Sequence, residues 1–73
     1  MEHWLVCFAA ALPAARRAEI IRGAGASLAN SADGVPMGDE VSVEVDAGAD
    51  AISTLRAHPE VRGIYPNSEL TLY

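Results

Sequence analysis

The chain has 73 residues, a formal net charge of −5, 51% hydrophobic residues and one cysteine. A domain of this size buries only roughly 60% of the surface its unfolded chain exposes, so one marginally stable core is expected. The lone Cys7 excludes an intrachain disulfide, and five scattered arginines in an acidic chain give no basic strip for nucleic acid.

No apolar stretch approaches the ~20 residues of a membrane helix. The segment from Trp4 to Leu12 is apolar and contains Ala9-Ala10-Ala11, which has the look of a signal cleavage site. Met1-Glu2-His3 before it lacks the positive charge of a signal peptide, so a strand is the better reading and a cytoplasmic location is expected.

His3 to Ala9 holds Trp4, Leu5, Val6, Cys7 and Phe8 without interruption. A short apolar run rich in aromatic and β-branched residues predicts an inner strand. Leu12-Pro13 then opens a helix to Arg22, with Ala14, Ala18 and Ile21 on one stripe and Arg16 and Glu19 elsewhere. Gly23 and Gly25 end it, because glycine accepts the left-handed turn that follows a helix. Ala26 to Ser31 is a weak strand candidate, and Ala32 to Asp39 reads as a loop by its glycines, proline and aspartates.

The clearest period is Glu40-Val-Ser-Val-Glu-Val-Asp46. Val41, Val43 and Val45 point one way, Glu40, Ser42, Glu44 and Asp46 the other, which is a strand with one buried and one acidic face. A solvated surface is the plainest role for those acids. Ala47 to Asp50 leads into a second helix, about Asp50 to Ala57, with Ile52 and Leu55 inward and Pro59 beyond its end. Val61 to Tyr65 is the last strand, and residues 67–73 form an extended tail. The expected fold is therefore α+β and ferredoxin-like, βαββαβ, with a four-stranded antiparallel sheet and both helices on one face.

Chemistry finds few candidates. His3 and His58 sit at element ends, Cys7 lies in the most apolar strand, and the three have no metal-ligand spacing. The glycines match no phosphate-binding pattern. The expectation is a chain that is not an enzyme and uses no cofactor or metal. A binding role is left: with Trp4, Val6 and Phe8 inward, Leu5, Cys7, Ser42 and Glu44 share a sheet face bare of helices, and carboxylates there suit the positive N-terminal ends of partner helices. In the tail, Leu70, Thr71, Leu72 and Tyr73 alternate as an added strand in a groove would. A frayed terminus is the competing reading.

The element order, Leu55-Arg-Ala-His-Pro-Glu-Val61, the strand and tail after it, Ser27-Leu28 and the opening Trp4-Leu5-Val6-Cys7-Phe8 resemble the propeptides of subtilisin-type serine proteases. They are also similar to the free-standing inhibitors related to these, such as the small fungal proteinase B inhibitor. The resemblance spans nearly the whole chain and rests on short motifs, order and spacing. It implies a bare sheet face packed on two protease helices and a tail in the active-site cleft as a substrate mimic. Tyr73 would then fill the primary specificity pocket, and Leu70 the apolar pocket four residues upstream of the scissile bond, with Thr71 and Leu72 between. The family usually places acids after the valine of the last strand to cap the protease helices. Here Tyr65, Pro66 and Asn67 stand there, with Glu69 the nearest acid and Asn67 still able to cap. With no catalytic domain after Tyr73, the expectation is a free-standing inhibitor or chaperone-like partner, monomeric when free. The alternative is a ferredoxin-like interaction module, self-associating or adaptor, without a protease target.

Overall fold

Alternation in Glu40–Ala47 makes the strand about which the sheet forms. The computed structural model describes residues 2–29 and 33–66 and contains five strands and two helices. In chain order they are β1 (Glu2–Ala9), α1 (Ala14–Gly23), β2 (Ser27–Leu28), β3 (Val35–Met37), β4 (Glu40–Ala47), α2 (Ala49–Ala57) and β5 (Val61–Pro66). The fold is α+β, and every strand pairing is antiparallel. β4 pairs with β1 along its full length, from Glu2 opposite Ala47 to Ala9 opposite Glu40. β5 pairs with the other edge of β1, from Trp4 opposite Pro66 to Phe8 opposite Val61. β2 and β3 lie one after the other along the free edge of β4, at Val45–Asp46 and at Glu40–Ser42.

Four strands were expected and five form. The segment read as a loop, Ala32 to Asp39, contains β3, while of the candidate strand from Ala26 to Ser31 the described residues form β2 at Ser27–Leu28. The cause is the Gly38-Asp39 turn. Met37 pairs with Glu40, so two residues close a hairpin, and Gly38 supplies φ +70° at the first of them. Two-residue hairpins with glycine first match the right-handed twist of their strands, which outweighs the loop-like composition. Pro36 is tolerated because β3 is an edge strand.

The core lies between one sheet face and the helices. Val6, Phe8, Val43, Val45, Ile21 and Leu55 are its fully enclosed members, joined by Val41, Ile52, Ile64 and Ile20. The inward face of α1 differs from the expected Ala14–Ala18–Ile21 stripe: Arg17, Ile20 and Ile21 are the buried residues. Arg17 is drawn in because backbone carbonyls await its guanidinium: it donates to the carbonyls of Leu12 and, at 3.3 Å, Asp33. That satisfies a buried cation and fastens the start of α1 to the approach to β3.

Both helices end as their sequences dictate. After α1, Gly25 (φ +90°) donates to Arg22 and Ala26 donates to Ile21, the paired bonds of a Schellman ending. α2 carries Asp50 in its first turn and Arg56 in its last, each matching the helix dipole, and stops at an extended His58 before Pro59.

Candidate functional site

Direct cross-strand partners share a sheet face, so the register sorts the side chains. Trp4, Val6 and Phe8 oppose Val45, Val43 and Val41 on the helix side. His3, Leu5, Cys7 and Ala9 oppose Asp46, Glu44, Ser42 and Glu40 on the side without helices. β3 adds Val35, opposite Ser42, and Met37, opposite Glu40, to that same side. β5 adds Tyr65, opposite Leu5, and Gly63, opposite Cys7.

Among the described residues, the large hydrophobic side chains that remain exposed are Val35 (63%), Met37 (60%) and Tyr65 (57%), and all three lie on this face. Isolated exposed hydrophobes are ordinary; three on one face with half-buried Leu5 form an apolar surface with acids set into it. The acids come from β4. Glu44 and Asp46 are half-buried, and His3 Nδ1 lies 2.7 Å from Asp46 Oδ1. Glu40 and Asp39 accept the guanidinium of Arg62 at 3.4 and 4.0 Å, an exposed arrangement of little energetic weight.

The centre of the face is closed. Cys7 and Ser42 lie on it and yet are buried, at 7% and 6% exposure. Cys7 Sγ and Ser42 Oγ are 3.6 Å apart, and the Ser42 hydroxyl donates to Met37 Sδ at 2.9 Å. The thioether thus sits over the serine. On the other flank the Tyr65 ring folds back over Gly63: a β-carbon built there would stand 2.9 Å from the tyrosine oxygen. Gly63 is the gap that lets the ring lie down, the way an aromatic covers a glycine on a sheet. A bulge beside it, where β5 spends Val61 to Gly63 against Cys7 and Phe8, makes Arg62 the extra residue and turns it toward β4.

Of the residues singled out in the sequence, Leu5, Ser42 and Glu44 are brought together here, with Ser42 as a floor and not as a contact. Asn67, Glu69, Leu70, Thr71, Leu72 and Tyr73 lie outside the described residues. Val35, Met37 and Tyr65 escaped the sequence reading. The signals that find them are the Gly38-Asp39 hairpin turn, which puts residues 35 and 37 in register with β4, and the period of two through Gly63 and Tyr65.

Pro66, opposite Trp4, ends β5 at the end of the sheet where Leu5, Glu44 and Asp46 stand. The Trp4 indole N–H there is buried with no hydrogen-bond partner among the described residues. His58, at the other side of the fold, accepts the Glu60 amide on Nδ1 at 3.1 Å. Among the described residues no three His, Cys, Asp or Glu side chains are grouped to hold a metal ion, and no helix is long and apolar enough to cross a membrane. Comparison with protein-family models, curated proteins and solved structures gave no match in any of the three.

Proposed function

We propose that this chain is a docking module that binds a protein partner through the helix-free face of its sheet, and that the partner is a subtilisin-type serine protease. The observation that carries the reading is the placement of Leu5, Val35, Met37 and Tyr65 on the one sheet face that also carries Glu40, Glu44 and Asp46. An apolar patch with embedded carboxylates fits a surface that is apolar and locally positive, such as the N-terminal ends of paired helices. Two copies of this face would set like charges against each other in a chain of net charge −5, which favours a monomer when free.

In this reading β2 and β3 are one interrupted strand. The sheet then has the order β5, β1, β4, β2/β3 and the chain runs βαββαβ, the ferredoxin-like arrangement that the resemblance to subtilisin propeptides implies. The chain passes Pro66 at the end of the sheet where Leu5, Glu44 and Asp46 stand, so one partner can engage the face and the segment that follows. Leu70, Thr71, Leu72 and Tyr73 then act as the substrate-like strand in the protease cleft, with Asn67 and Glu69 as caps for its helices. The role is inhibition or chaperone-like assistance, with no catalytic residue and no cofactor.

The test is inhibition of a subtilisin-type protease by the intact chain and by a chain ending at Glu69. The reading expects inhibition by the first and its loss in the second. Absence of inhibition by the intact chain across several such proteases would refute the protease target and leave a sheet-face module with another partner.

A further inference from the structure

We propose that Met37 is a site of oxidation by hydroperoxides and that its sulfoxide weakens docking of the sheet face; the second half rests on the docking reading above. The chain has two methionines and one cysteine. Cys7 lies beneath the face at 7% exposure, whereas Met37 stands above it at 60% on a strand that, among the described residues, pairs with β4 alone. An oxidant arriving at this face therefore meets the thioether before the thiol. Reactivity of sulfur follows access, and a methionine in an apolar contact surface is where oxidation changes most, since a flexible apolar group becomes polar.

The step balances without any other group. The thioether sulfur attacks the distal oxygen of the hydroperoxide, the O–O bond breaks, and an S–O bond forms. Sulfur loses two electrons, the peroxide gains them, and the peroxide proton leaves with the alcohol or water produced. The Ser42 hydroxyl, already donating to Sδ at 2.9 Å, is placed to donate to the new oxygen. That bond holds the polar group over Ser42 on the sheet face instead of letting it swing into solvent. Methionine sulfoxide reductases reverse the product, so the change can act as a switch.

The experiment exposes the folded chain to dilute hydrogen peroxide, then reads mass and inhibition of subtilisin. Cleavage at arginine yields fragment 23–56, in which Met37 is the sole sulfur and no tryptophan occurs. The proposal expects this fragment to gain one oxygen while Cys7 can still be alkylated after unfolding. It also expects inhibition to weaken by roughly tenfold or more, the scale of removing one methionine side chain from an apolar contact. A Met37→Leu chain should inhibit equally before and after peroxide, which separates Met37 from Met1, Trp4 and Cys7. Loss of the Cys7 thiol before oxygen appears on fragment 23–56 would overturn the site. Full oxidation of Met37 with unchanged inhibition would overturn the consequence. No inhibition by the unoxidised chain would refute the protease target and with it the predicted loss of inhibition, while the mass measurement would still decide the oxidation site.

Discussion

Replacing Gly34 by alanine should detach β3 and take Val35 and Met37 off the helix-free face with it. Gly34 has φ +66°, and a β-carbon there would press on the backbone carbonyl of Ser42 and lie 2.6 Å from Val41 Cγ1. Neither neighbour can yield. Ser42 is fixed by pairing with Cys7, and Val41 has a stiff β-branched side chain facing the core. The left-handed backbone costs an L-residue about 1–2 kcal/mol. Overpacking against an immovable neighbour adds about 1–3 kcal/mol, so the two together reach about 2–5 kcal/mol. A chain of this length has only about 4–11 kcal/mol in all. For so small a domain each kcal/mol moves Tm by about 4–8 °C. Thermal unfolding followed by circular dichroism should therefore fall by about 10 °C or more, with faster amide exchange over residues 35–37. Gly25→Ala is the control: its φ is +90° with nothing within 4 Å, so it carries the backbone cost alone and should fall less. Equal melting temperatures for the two variants, or a Gly34→Ala chain within about 2 °C of the parent, would refute the reasoning.

Three further outcomes follow from the same contacts. Phe8→Ala empties the largest fully enclosed side chain, at a cost of about 3–5 kcal/mol, a large share of the total, so the urea midpoint should fall steeply; an unchanged midpoint would contradict it. Arg17→Ala removes the guanidinium's bonds to the Leu12 and Asp33 carbonyls, costing about 1–3 kcal/mol; a chevron or urea midpoint unchanged from the parent would contradict it. Val35→Glu should leave Tm within about 4 °C, since the side chain is exposed, yet reduce protease inhibition by repulsion and lost apolar contact.

How much of this was legible depended on whether local pattern or distant partners decided the outcome. The period of two in Glu40–Ala47 and the apolar run of β1 state their own structure, and Gly25 after α1 states its end. β3 did not, because Gly34, Pro36 and Gly38 carry loop composition while its strand character comes from pairing with β4. The burial of Arg17 is illegible for a similar reason: its place on α1 does not announce it, and only the carbonyls of Leu12 and Asp33 make it affordable. That Leu5 and Glu44 share the helix-free face is legible from alternation alone. The closure of Cys7 and Ser42 was not, since the thioether over them comes from β3 and the turn that places it.

The central claim is that the partner seats on the helix-free face, and side-chain NMR with active-site-blocked subtilisin tests it most directly. The account predicts shifts or broadening of the Leu5, Val35 and Met37 methyls and the Tyr65 ring, with Ala15 and Ala57 on the helices unmoved. Perturbation confined to Ala15, Ala57 and their helix neighbours, with the four sheet-face residues unchanged, would contradict it.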